Sequence, residues 1–185
     1  MITTPPLLTP PRRAATKGML LHCGATTVSR DLVFETPTPS STETWYPLAH
    51  RDLIHEVEEQ LEGAGFLLEA ESHALSHEGN RYFGVFEVSF PDRTVSDYHW
   101  IVGLRNSHDK TFPAGLVAGT HVLCCDNLAF TGEVTISRKH TRHAVRDLHH
   151  LTARAVGQLG DRFRGLDKRI EAYRTRSITN PLAHD

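Results

Sequence analysis

At Thr141 the hydrophobic period of this 185-residue chain changes, and that change constrains the fold more than any single motif. Before it, apolar side chains recur every second residue in short runs; after it they recur every third and fourth. Phe66, Leu68, Ala70 and Ala74 alternate with Leu67, Glu69, Glu71 and His73, which predicts a strand. His77-Glu78-Gly79-Asn80 reads as a turn, and Tyr82 to Phe90 as the returning strand, closed by Pro91-Asp92. Tyr98, Trp100, Val102 and Leu104 alternate again. Leu116 to Ala118, Val122 to Cys125 and Val134 to Ser137 give further short strands.

Beyond Thr141, the residues Val145, Leu148, Ala155, Leu159, Phe163, Leu166, Ile170 and Tyr173 follow helical spacing. One long helix is expected over residues 142–175, with Thr141 as its N-cap. From Val156 to Tyr173 the seam approaches a heptad pattern, a face on which a second copy can pack. Gly157, Gly160 and Gly165 each cost about 1 kcal/mol against alanine inside a helix. They mark either a break or a close neighbour.

Upstream, His50 to Leu61 places Leu53, Ile54, Val57 and Leu61 on one helical face, and Gly63 and Gly65 stop it. Residues 36–44 are punctuated by proline and hydroxyl residues and cannot be regular helix. Leu20 to Phe34 has room for one short strand. The division expected is a Pro/Thr-rich, partly flexible segment over residues 1–44 and a single domain over 45–185. The fold class is α+β: an antiparallel meander of five to six strands, with one short N-terminal helix and one long C-terminal helix packed on it.

Composition narrows the class. A hydrophobic fraction of 39% with 23% charged residues is that of a globular chain. No apolar run approaches the roughly 18 residues of a membrane span, and the proline-broken N-terminus is unlike a secretory signal. Three cysteines make no disulfide framework, so reduced thiols and a cytoplasmic location are expected. The net charge of −2 hides an asymmetry: residues 43–92 hold eleven acidic and two basic side chains, residues 131–185 eleven basic and six acidic. A basic C-terminal third suits a polyanion partner; two opposed faces of one domain, or a dimer contact, explain it equally well.

Chemistry-bearing groups concentrate between residues 99 and 142. Asn106-Ser107-His108-Asp109-Lys110 follows a strand, and such residues also build plain turns. As a site, His108 and Asp109 are candidate catalytic residues, a general base with its orienting acid. With Asp126 or His140, they are also candidate ligands for a divalent metal that takes mixed nitrogen and oxygen donors. Cys124 and Cys125 end an apolar strand with no base beside them and read as core thiols. Asp126-Asn127 marks a turn. Arg138-Lys139-His140-Thr141-Arg142 opens the long helix and, with Arg146, forms a candidate anion or nucleic-acid site. There is no His-Glu-x-x-His, no phosphate-binding glycine loop and no Gly-x-Ser-x-Gly elbow, which argues against common hydrolases and nucleoside-triphosphate enzymes.

Five strings together resemble one family. They are Thr42-Glu43-Thr44-Trp45-Tyr46-Pro47-Leu48-Ala49-His50, Arg81-Tyr82-Phe83-Gly84, Gly103-Leu104-Arg105-Asn106-Ser107-His108-Asp109-Lys110, Cys125-Asp126-Asn127-Leu128-Ala129-Phe130 and Arg138-Lys139-His140-Thr141. In this order, over residues 42–185, they are similar to the phage/plasmid-like family catalogued as domain of unknown function nine-three-two. The resemblance implies the biology of mobile elements and no particular reaction. It also implies a short or C-terminally truncated member, since longer ones continue into further helices. Three functions follow as expectations: an accessory protein binding DNA, single-stranded above all, without catalysis; a metal-dependent or acid–base enzyme; and an assembly protein that self-associates through the long helix.

Overall fold

Strands joined by tight turns bury what their alternation dictates, and here both faces of the sheet find something to bury against. The computed structural model describes residues 19, 21, 23–91, 100–119, 123–124, 130–132 and 134–176. In chain order the elements are β1 (Thr26–Val28), α1 (Arg30–Glu35), α2 (His50–Gly63), β2 (Leu67–Ser76), β3 (Arg81–Ser89), β4 (Trp100–Ser107) and β5 (Ala114–Gly119). Then come β6 (Leu123–Cys124), β7 (Phe130–Thr131), β8 (Val134–Arg138) and α3 (Ala144–Arg174). Six strands form one sheet in the order β1-β2-β3-β4-β5-β8, every pair antiparallel, while β6 and β7 pair separately. The α+β meander with a long C-terminal helix is the fold of this chain.

The turn between β2 and β3 bends through three successive left-handed residues, His77 (φ 52°), Glu78 (φ 57°) and Gly79 (φ 84°). Only Gly79 adopts that conformation without steric cost. Asn80 holds the turn by donating its side-chain amide to the His77 carbonyl at 2.8 Å. β2 carries a bulge at Glu69, where its register against β3 slips between Leu68 and Ala70.

One face of the sheet packs on the two longer helices. Tyr82, Phe86, Trp100, Val102, Leu104 and Leu116 meet Leu53, Ile54, Val57 and Leu61 of α2 and Leu148, Leu159, Phe163 and Leu166 of α3. Trp100 anchors α3. Its ring stacks on Phe163 at 4.6 Å, Phe90 meets it edge-on at 5.6 Å, and its indole N–H donates to Asp167 at 3.1 Å. The seam that the sequence offers to a second copy is therefore spent on the protein's own sheet; Tyr173 is the large apolar side chain of α3 that stays exposed. The other face carries a smaller core of Phe83, Val85, Phe112, Val117 and Phe130, covered in part by Met19 and Ala25. That second layer, and β7 with it, has no signal in the hydrophobic period, because a strand of two residues shows no periodicity.

Three expectations change. The segment 1–44 is not all appendage: β1 pairs with β2, and α1 sends Val33 into the core. Within the stretch expected to hold one short strand, Thr26–Val28 is a strand and Arg30–Glu35 a helix. Arg30 binds the two pieces to the rest, with both guanidinium arms on Glu58 (2.8 and 2.5 Å) and one also on Glu71 at 2.8 Å. Thr141 is not the N-cap of α3. His143 holds that position without a side-chain bond, because Thr141 is used in a preceding turn whose carbonyl accepts from Ala144 N–H at 2.8 Å. Finally, α3 runs unbroken through its glycines. A methyl group at Gly160 would rest at ordinary contact, 3.5 Å, on Phe90, and at Gly157 and Gly165 would meet nothing within 4 Å.

Those glycines contribute no contact that alanine would spoil. Gly157→Ala and Gly165→Ala are each expected to raise unfolding free energy by about 1 kcal/mol in urea titrations. Gly84 is the opposite case: a Cβ there would lie 2.0 Å from the Tyr82 hydroxyl in a fully buried part of β3. Gly84→Ala is expected to lose about 3 kcal/mol, the upper end of overpacking costs, in the same titration.

Candidate functional site

Pro47 removes one backbone donor from the approach to α2, and the next peptide, that of Leu48, becomes a point of convergence. Leu48 N–H donates to His140 Nδ1 at 3.2 Å. Its carbonyl accepts two bonds of 2.8 Å, from Asn106 Nδ2 and from His108 Nε2. Two residues earlier, Tyr46 N–H donates to the His140 carbonyl at 3.1 Å. Residues 46–48, the end of β4 and the turn after β8 are thereby tied into one knot. Leu48, Asn106, His108 and His140 are all buried.

His50, in the first turn of α2, completes the cluster. Its Nε2 bonds to the Gly79 carbonyl at 2.9 Å, and its Nδ1 lies 2.9 Å from Asn106 Nδ2. Its ring stacks on His108 with centroids 3.9 Å apart and planes 3° from parallel. The partners assign the tautomers. His50 and His108 donate from Nε2 to carbonyls, and His140 accepts at Nδ1, so its proton sits on Nε2. All three rings are neutral. Burial, with His108 alongside, pushes His50 down to about 3; burial, again with His108 near, pushes His140 down to about 4. Burial also lowers His108, against the opposing pull of its bond to Leu48 and the charge of Asp109.

The polar network runs on into the core, where His73 Nδ1 and the Tyr82 hydroxyl lie 2.9 Å apart and the Tyr82 ring flanks His50. Two polar atoms of the knot, Asn106 Oδ1 and His140 Nε2, are buried with no hydrogen-bond partner among the described residues.

The segment 106–110 divides among different tasks. Asn106 and His108 reach Leu48. Ser107 closes its own loop, donating to the Phe112 carbonyl at 2.7 Å and accepting from Phe112 N–H at 3.2 Å. Asp109 binds Arg81 at 2.5 Å and caps Thr111 N–H at 3.0 Å. Burial alone would raise Asp109, but Thr111 and Arg81 outweigh it and hold the carboxyl below its ordinary range. Lys110, left-handed at φ 65°, sets its ammonium 5.0 Å from the centre of the Trp45 ring.

His108 and Asp109 thus bond to different partners, Leu48 and Arg81. Among the described residues, no three His, Cys, Asp or Glu side chains gather as metal ligands. His140 offers Nδ1 to an amide proton, the reverse of a metal-bound imidazole, whose second nitrogen donates outward. Asp126 and Asn127, with Cys125 and His99, lie outside the described residues.

The cationic end divides too. Arg138 is bound to Asp147, and Arg146 reaches the same carboxylate at 3.3 Å. The first turn of α3, expected to receive an external anion, already carries that carboxylate. Lys139 is exposed. Arg142 lies 5.8 Å from the centre of the Tyr46 ring and donates to its hydroxyl at 3.4 Å. Trp45, Tyr46, Lys110, Lys139 and Arg142 surround the histidine knot, and Trp45 lies 6.2 Å from the His140 ring. Sequence reasoning on the 99–142 block passes over Trp45, Tyr46, Leu48 and His50. Their signal is the aromatic string Trp45-Tyr46-Pro47, which stands in a stretch with no periodicity to require it as core.

Comparison with protein-family models returns no match, and comparisons with curated proteins and with solved structures return none either.

The neutral histidines set a pH dependence. A histidine whose folded pKa lies below its unfolded value of about 6.5 takes up a proton on unfolding. Its stabilising contribution is full above that value and is lost as pH falls toward the folded one. Unfolding free energy is expected to drop between pH 6.5 and 4, each of His50, His108 and His140 contributing up to about 1.4 kcal/mol per pH unit. His140→Gln keeps an acceptor for Leu48 N–H while removing one titrating ring. Urea titrations across this range should show its slope reduced by about one proton; an unchanged slope would contradict the assignment.

Proposed function

We propose that the protein is a non-catalytic nucleic-acid-binding accessory protein of the phage/plasmid type, which takes a single-stranded segment across the surface around Trp45 and Tyr46. The observation that carries this reading is the pairing of an aromatic face with a cation twice on one surface, Lys110 with Trp45 and Arg142 with Tyr46. Single strands are held by just these two kinds of contact, rings against bases and cations against phosphates. Lys139 adds a third cation beside them. The histidine knot beneath supports the reading by fixing the backbone that carries Tyr46 and the turn that leads to Arg142. Family resemblance adds the mobile-element setting, where single-stranded intermediates arise.

Fluorescence anisotropy with a labelled single-stranded oligonucleotide, across a salt series, tests the reading. Log affinity should fall linearly with log salt, by about 0.7 for each phosphate neutralised on a single strand. Replacing Lys110, Lys139 and Arg142 by glutamine should flatten that slope by about 2 and weaken binding at low salt. Trp45→Ala should cost about 1–3 kcal/mol if a base stacks there. Arg138→Gln, already bound to Asp147, should change affinity less than Arg142→Gln. An absence of binding at low salt, or binding indifferent to the triple variant, would overturn the proposal.

A further inference from the structure

A second surface lies along the sheet edge. β8 pairs with β5 on one side and is the last strand of the sheet on the other. α3 runs beside it in the opposite direction, for Arg138 at the end of β8 meets Asp147 in the helix's first turn. Farther along, Val134, Ile136 and Leu151 form the floor of a groove of roughly 380 Å³, and Arg154, Gln158 and Arg162 form its wall.

Three observations bear on what such a groove holds. First, the two edges of the sheet are treated differently. The β1 edge is a strand of only three residues beside a bulged β2, which are ordinary defences against unwanted pairing. β8 reads Val-Thr-Ile-Ser-Arg, with no proline, and keeps unbroken register against β5. Second, the wall is charged without compensation. Arg138, Arg146, Arg164 and Arg174 each lie within 4.0 Å of a carboxylate, whereas among the described residues Arg154 and Arg162 have no ion pair and no acidic side chain lines the groove. Third, the spacing matches a strand. Eight helical residues separate Arg154 from Arg162, about 12 Å along the axis. Same-face side chains four residues apart on an extended chain span about 13 Å.

We propose that this groove binds an extended acidic peptide as an added strand on β8, with carboxylates four residues apart facing Arg154 and Arg162 and the residue between them facing Gln158. The free strand edge supplies backbone hydrogen bonds, and the arginines select the side chains. A second copy joined through the same edge would set four uncompensated arginines side by side. A nucleic-acid strand would find no aromatic ring to stack on among the described residues of the groove.

The test uses the full chain and a labelled peptide of β-branched residues with two glutamates four apart. It has three controls: the same peptide with lysines in those places, the glutamate peptide N-methylated at alternate residues, and a labelled single-stranded oligonucleotide. Anisotropy should show the glutamate peptide binding, the lysine peptide failing, and N-methylation weakening binding at least about tenfold, since it removes the backbone bonds. Arg154→Glu with Arg162→Glu, both on the exposed helix surface, should weaken the glutamate peptide by about tenfold or more and confer binding of the lysine peptide. That gain of binding is a signal that misfolding cannot mimic. The proposal is overturned by glutamate-peptide binding that the charge reversal leaves unchanged, and by no peptide binding at all. It is overturned equally if the reversal alters only oligonucleotide affinity, or only self-association in light scattering. Oligonucleotide binding that survives the reversal while peptide binding is lost supports it and leaves the Trp45 surface independently testable.

Discussion

The peptide of Leu48 is the joint on which this molecule depends. One N–H and one carbonyl receive three side chains from segments 58 to 92 residues distant, Asn106, His108 and His140. An apolar side chain in water has no use for such precision; a buried main-chain group does, because each unpaired donor or acceptor costs about 1–3 kcal/mol. The sheet, α2 and the approach to α3 are thereby held at one place by polar bonds, while the apolar cores hold them everywhere else. The network gathers segments that lie far apart in sequence: residues 46–50, 81–82, 106–109 and 140 supply the knot, the Asp109–Arg81 bond beside it and the Tyr82 hydroxyl behind it.

Neutrality is the condition of this arrangement. Two parallel imidazoles 3.9 Å apart would repel one another if both were charged, burial disfavours the charged form of each, and each of the three rings is oriented by a backbone group that accepts or supplies a single proton. A cluster of histidines suggests metal or acid–base chemistry when seen in sequence. In three dimensions these rings spend their donors and acceptors on structure, His140 Nε2 excepted, and the charged groups Lys110, Lys139 and Arg142 lie outside them. What reaches solvent is the cationic and aromatic layer rather than the imidazoles.

The α+β meander, the helix face of α2 and the extent of α3 were legible because each rests on a period repeated over several residues, whereas the pairing of β5 with β8, past a separate β6 and β7, was not. Leu148, Leu159, Phe163 and Leu166 announce a helix and its buried side together. Sequence reasoning lost what depends on single side-chain partners. Nothing local distinguishes an Asp109 that chelates from one that binds Arg81, and that choice was made 28 residues away. Thr141 looks like a cap in isolation, yet the turn before α3 uses its carbonyl first. His50 was hidden in a helical pattern, where a buried histidine at the first turn looks like any polar residue at a helix start. The segment 106–110 divides its side-chain bonds among Leu48, His50, Phe112, Thr111 and Arg81, partners that no local pattern announces.

β8 is the element that connects these observations. Its inner edge completes the sheet, its last residue is bound to the start of α3, and the turn that follows delivers His140 to the Leu48 peptide. A strand so placed is held at both ends and, among the described residues, unpaired along its outer edge, the combination that added-strand recognition requires, since a mobile edge would lose in ordering what its hydrogen bonds return. The same anchoring fixes the spacing of Arg154 and Arg162 relative to that edge, because α3 is locked at the Arg138–Asp147 end and again at Trp100. Charge alone, on a surface helix, would select for acidity without register. Set beside a fixed strand edge, it selects for acidity at a defined interval.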